Sequence, residues 1–96
     1  MLTGKQKRFL RSEAHHLDAL FQIGKSGLTD AILLQIDEAL EARELLKVSV
    51  LQNCEEDKKE IAEKIGAYKG IHVVQIIGNT IVLYRESTEK KRIQLP

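Results

Sequence analysis

Ninety-six residues, 43% of them hydrophobic and 30% charged, suit one small folded domain with a modest core. No apolar run approaches the roughly 20 residues of a membrane-spanning helix, and the opening residues do not read as a charged-then-apolar leader. The one cysteine has no internal partner and nothing resembles a zinc-ligand cluster, so a reducing, cytoplasmic location without metal or cofactor is expected.

The net charge of +1 conceals a partition along the chain. Lys5, Lys7, Arg8, Arg11 and Lys25 against Glu13 and Asp18 leave residues 1–27 at +3. Residues 28–84 hold six bases against ten acids, a net −4, while Arg85, Lys90, Lys91 and Arg92 against Glu86 and Glu89 return +2. Such asymmetry suggests a polyanion-binding side on an otherwise acidic molecule, because local potential rather than net charge governs encounter.

A first helix is expected from Thr3, whose hydroxyl caps it with Gln6 as the reciprocal partner of a capping box. Leu10, Ala14 and Leu17 gather on one face with Phe9 at its edge. Lys7, Arg11 and His15 follow one another on roughly the opposite face, with Arg8 beside them. A solvated face ordinarily mixes signs; this one holds only positive or potentially positive groups.

Ala19–Ile23 alternates as a strand and runs into the turn Gly24-Lys25-Ser26-Gly27. Two glycines free the backbone for close approach or positive φ. The helix that follows from about Thr29 presents unpaired N–H groups and the positive end of its dipole, and Lys25 adds a full charge. Such a turn can hold a phosphate, and the loop lacks the length and ending of a Walker-type site.

The second helix runs to about Arg43, with Ile32, Ile36, Ala39 and Leu40 as its buried stripe and Leu33 adjoining. Asp30, Asp37, Glu38 and Glu41 occupy the other side together with a partly exposed Leu34. A strand follows at Leu45–Leu51, with Leu46, Val48 and Val50 pointing one way and Lys47 and Ser49 the other. Asn53 is expected to cap a third helix, with Glu56 reciprocating and Cys54, Ile61, Ile65 and Tyr68 on one stripe. The thiol then reads as a small core hydrophobe, and Gly70 ends the helix. Ile71–Ile77 and Thr80–Arg85 form a hairpin across Gly78-Asn79, and their nearly continuous apolar runs suggest cover on both faces. Ser87 to Pro96 read as a loosely held, basic tail, so the division is a domain over residues 1–86 and a tail over 87–96.

The order is αβαβαββ, an α/β domain of the α+β two-layer kind with a mixed sheet and parallel first strands.

Several separated motifs run the length of the chain: Leu2-Thr3-Gly4-Lys5-Gln6-Lys7-Arg8-Phe9-Leu10-Arg11, Ala14-His15-His16-Leu17, and Ile23-Gly24-Lys25-Ser26-Gly27-Leu28-Thr29. They continue through Ala39-Leu40, Glu44-Leu45-Leu46-Lys47-Val48, Val74-Gln75-Ile76-Ile77-Gly78, Val82-Leu83-Tyr84-Arg85 and Leu95-Pro96. In these motifs the chain resembles the CRM family of RNA-binding domains. Free-standing single domains of this size in that family are the bacterial YhbY-like proteins. The resemblance implies a fold like the C-terminal domain of translation initiation factor three, with a four-stranded sheet in the order β1-β2-β4-β3 and the last strand antiparallel. It also implies RNA binding and association with precursor large ribosomal subunits. The family's glycine loop corresponds to Gly24, Lys25, Ser26 and Gly27, and its basic helix to Lys5, Lys7, Arg8 and Arg11. Thr29 and His15 complete the expected RNA contacts. Asp18-Ala19 stands where members often have a proline, and Ala42-Arg43 where a histidine often precedes the Glu-Leu pair.

With no Trp and only Phe9, Phe21, Tyr68 and Tyr84 as aromatics, there are few rings for stacking bases, so backbone and shape recognition is expected. A monomer that binds neither membrane nor small molecule is the expected state. Two other classes stay open. One is a protein-binding adaptor using Leu34 and the acidic side of the second helix. The other is a small RNA-processing enzyme, for which His15 and His16 diverge by about 100° on a helix and His72 lies apart on a strand. No enzyme is expected.

Overall fold

The computed structural model describes residues 2–68 and 70–96. The elements come in the expected order: α1 (Gly4–Ala14), β1 (Ala19–Ile23), α2 (Asp30–Arg43), β2 (Leu45–Val50), α3 (Lys58–Gly66), β3 (His72–Ile77) and β4 (Thr80–Tyr84). The strands form one mixed sheet in the order β1-β2-β4-β3, with β1 parallel to β2 and β4 antiparallel to both of its neighbours.

Strand alternation sorts the core into two clusters. On one face Ile23, Leu46, Val48, Val50, Ile81 and Leu83 meet Ile36 and Leu40 of α2 and Ile61, Ala62 and Ile65 of α3. On the other face Leu45, Val74, Val82 and Tyr84 meet Leu10 and Ala14 of α1. The sheet and the pair α2–α3 make the two main layers, and α1 covers part of the opposite face. Burying a leucine contributes about 1.5–3 kcal/mol, and fully buried Leu10 is the anchor that holds α1 there.

The capping box at Thr3 and Gln6 is formed as expected. Leu17 lies beyond the end of α1 and is exposed, so the helix's buried stripe ends at Ala14. Cover on both faces holds for β4, whose Ile81 to Tyr84 are all buried. It fails for β3, an edge strand that leaves Ile76 and Ile77 exposed where it enters the hairpin.

The third helix begins later than the spacing of Asn53 and Glu56 suggested. Asp57 is the cap, its side chain accepting the Lys59 N–H at 3.4 Å. Glu56 does not reciprocate for Asn53 because its carboxylate is taken by Leu28, 28 residues away. Cys54 sits in the preceding loop, half-buried against the core, with its thiol donating to the Glu56 carbonyl at 3.6 Å. Gly70 lies beyond the helix, in the turn to β3, at φ +74°.

The C-terminal residues are held, contrary to the expectation of a loose tail. Fully buried Glu44 accepts the N–H groups of Ser87 and Ile93, both at 2.8 Å, and that of Arg92. Glu41 takes the Ser87 hydroxyl at 2.7 Å and the N–H and hydroxyl of Thr88. Ile93 and Leu95 then pack onto the α1 cluster, and the Gln6 amide donates to the Pro96 carbonyl. Carboxylates at the end of α2 supply acceptors that a hydropathy pattern does not reveal. Glu44 also joins α2 directly to β2 at φ +67° and ψ −32°, a sparsely populated conformation costing a residue with a side chain on the order of 1–3 kcal/mol.

Candidate nucleic-acid interface

The glycine turn closes on itself. The Gly27 N–H donates to the Gly24 carbonyl at 2.9 Å, and Gly27 has φ +70°. Lys25 and Ser26 stand exposed at the tip, and among the described residues their N–H groups have no partner. Thr29 caps α2, its hydroxyl accepting the Ile32 N–H at 3.2 Å, and is committed to that role.

The open row of N–H groups expected at this helix start is only partly present. Glu56 Oε1 accepts the Leu28 N–H at 2.7 Å, and its second oxygen pairs with Lys64. Lys64, and then the Leu28 N–H, hold the Glu56 carboxyl below its ordinary range. An internal carboxylate therefore fills the anion position on the α3 side, while the tip at Lys25 and Ser26 keeps N–H groups without a partner among the described residues.

On α1, Lys5, Lys7, Arg8, Arg11 and the cap residue His15 are all exposed. Among the described residues, ion pairs join Lys64 to Glu56, Arg85 to Asp37 and Glu41, and Lys91 to Glu86. None involves a cation of α1, Lys25 or Lys47. The compensated charges lie in or beside α2, α3 and the C-terminal segment, where Arg43, Lys58, Lys59, Lys90 and Arg92 also have no ion pair among the described residues; what sets α1 apart is that none of its cations is paired.

The histidines differ from the expectation of diverging helical side chains. His15 caps α1, His16 falls in the next turn, and their rings meet edge to face at 5.4 Å. His72 stacks instead on Tyr84. Among the described residues no group of three or more His, Cys, Asp or Glu side chains is placed to hold a metal.

The basic helix and the glycine turn belong to different layers. The turn leaves the end of edge strand β1 towards α2, whereas α1 lies across β2, β4 and β3 on the opposite face. Between them the sheet face is open. The register aligns Gln22 with Ser49, Ser49 with Thr80 and Thr80 with Ile77, and these side chains alternate away from the α2–α3 core. One row further in, Lys47 donates to the Leu17 carbonyl at 2.9 Å. Lys47, Gln22 and Glu56 were not among the expected site residues. Only the alternation of β2, which sends Lys47 away from Leu46 and Val48, pointed towards the first of them.

The model of the CRS1 / YhbY (CRM) domain matches residues 2–85. The chain belongs to the CRM family. It is 66% identical over 96 residues to the probable RNA-binding protein YqeI of Bacillus subtilis, covering all of both chains. It is 44% identical to an RNA-binding protein of Haemophilus influenzae, covering 99% of this chain and 95% of that one. The solution structure of the hypothetical protein SAV1595 from Staphylococcus aureus superposes with a TM-score of 0.82 at 57% identity, over the full length of each. Among the described residues of this CRM protein, no helix is long and apolar enough to cross a membrane.

Proposed function

We propose that this CRM protein binds structured RNA through its phosphate backbone and acts in assembly of the large ribosomal subunit. The carrying observation is the segregation of charge. Among the described residues, exposed Lys5, Lys7, Arg8, Arg11 and Lys25 have no carboxylate partner, while the ion pairs gather elsewhere. A protein surface carrying unpaired cations of one sign attracts a polyanion. Names of close CRM relatives support RNA as that polyanion.

In this reading Gly24 to Gly27 present the Lys25 charge and the N–H groups of the turn to one phosphate, with Thr29 holding the helix start in place. The α1 side chains and His15 grip neighbouring phosphates. Phe9, Phe21 and Tyr68 are half-buried and Tyr84 is buried, which leaves backbone rather than base stacking as the mode of recognition. The protein works as a cytoplasmic monomer without catalysis, its domain over residues 1–86 carrying the basic segment 87–96.

An adaptor role on α2 is less favoured. Leu34 is 53% exposed, but Asp37 and Glu41 beside it are engaged by Arg85 and are not free for a partner. Co-sedimentation tests the proposal. The protein should follow precursor large-subunit particles and leave them in high salt or after nuclease treatment. Persistence on the particles after nuclease would favour the adaptor.

A further inference from the structure

Where the last turn of α1 meets the sheet there is a cleft lined by Arg11, His15, His16, Lys47 and Gln75 over a floor that includes Val82. Its lining holds two permanent cations, two imidazoles and a side-chain amide, and no carboxylate.

Lys47 is the informative member. It lies on an interior strand, half-buried, in register with Val82 of β4. Its ammonium donates to the Leu17 carbonyl, and among the described residues no acid pairs with it. Its side chain is half-buried while the ammonium stays at an exposed hydrogen bond, so the charge is presented at the mouth of the cleft. Arg11 approaches from α1 and Gln75 from β3, so three separate elements aim donors at one space. The carbonyl end of the α1 dipole adjoins this space, and the basic groups there outweigh its partial negative charge.

We infer that this cleft is a second phosphate site, distinct from the glycine turn, which takes one backbone phosphate of the same RNA. Lys47 and Arg11 supply charge, and the Gln75 amide and the imidazoles supply N–H donors. The polar row of Gln22, Ser49 and Thr80 leads from this cleft towards the end of the sheet where the glycine turn sits. RNA would therefore cross the open sheet face between the two sites, which is how a helix and a turn in different layers act on one ligand. The inference rests on the RNA-binding reading above.

The test is the salt dependence of binding to a mixed-sequence RNA hairpin. Lys47→Met keeps the apolar stem and removes the charge. Gln75→Glu places a carboxylate in the cleft from the edge strand and leaves Lys47 intact. Each variant should bind roughly tenfold more weakly at low salt, and Lys47→Met should lower the salt slope by about one unit. Lys91→Met, on the C-terminal segment, should match the parent. Amide NMR shifts on adding the hairpin should include Arg11 to His16, Lys47 and Gln75 as well as Lys25 and Ser26. If both cleft variants bind like the parent, or if shifts are confined to the glycine turn, the cleft is overturned and RNA binding stands. If the parent shows no salt-dependent binding to the hairpin, both are overturned.

Discussion

A Cβ on residue 27 would stand 2.3 Å from Oε1 of Glu56, the same oxygen that accepts the Leu28 N–H at 2.7 Å. Gly27 is thus required twice, for its φ of +70° and for the carboxylate packed against it. The second glycine of the GxxG turn serves the architecture of the loop, while the tip residues Lys25 and Ser26 stay exposed.

Gly27→Ala should destabilise the fold by more than the roughly 1–2 kcal/mol of a positive φ, because the methyl also displaces Glu56 from Leu28. In a Glu56→Ala background the second part should vanish. Urea unfolding of the two single variants and the double variant measures this coupling. Strict additivity would show that Glu56 and residue 27 do not meet.

Lys25 is exposed, and nothing in the fold depends on its charge. Lys25→Ala should leave the melting temperature unchanged, weaken binding to structured RNAs of unrelated sequence alike, and reduce the salt slope by about one unit. Filter binding across a salt series checks each part.

Glu44 is fully buried and receives N–H groups from Ser87, Arg92 and Ile93. Glu44→Ala should cost at least about 2 kcal/mol, since buried donors lose their acceptor. Glu44→Gly should cost less than Glu44→Ala, because glycine relieves the φ of +67°. Both variants should expose residues 87–96 to protease, a change that intact-mass spectrometry detects.

Acid should release the same segment. The Ser87 hydroxyl, followed by the Thr88 N–H, holds the Glu41 carboxyl at about 2, down from an ordinary 4.5. Burial pushes Glu44 upward, but the N–H groups of Ser87, Arg92 and Ile93 outweigh it and leave that carboxyl lowered as well. A carboxyl lowered in the folded state adds stability that is complete above its ordinary value and is lost as pH falls towards its folded one. Amide protection of residues 87–93 should therefore be constant from neutral pH down to about 5 and should decline between 4.5 and about 2. Glu41→Gln should flatten that decline.

Much of the architecture was legible because hydrophobic period and cap chemistry are local properties. Thr3 with Gln6, the alternation of Ala19–Ile23 and Leu45–Val50, and the Gly78-Asn79 hairpin each announce an element without reference to the rest of the chain. The start of α3 misled for the converse reason. Asn53 and Glu56 have the spacing of a capping box, but Leu28 competes for the same carboxylate from a different part of the sequence.

The sequence by itself determined the element order, the buried stripe of α2, the two basic segments and the family, whereas the stripes expected on α1 and α3 overran their helices at Leu17, Cys54 and Tyr68. Tertiary structure alone decided which charges are compensated. Arg85 meets Asp37 and Glu41, Lys64 meets Glu56, and the C-terminal segment closes over Glu41 and Glu44. It also decided that α1 and the glycine turn occupy different layers, with Lys47 and an open strip of sheet between them. The physical reason is that a charge is neutralised by whatever lies within a few ångströms, and sequence separation carries no information about that distance.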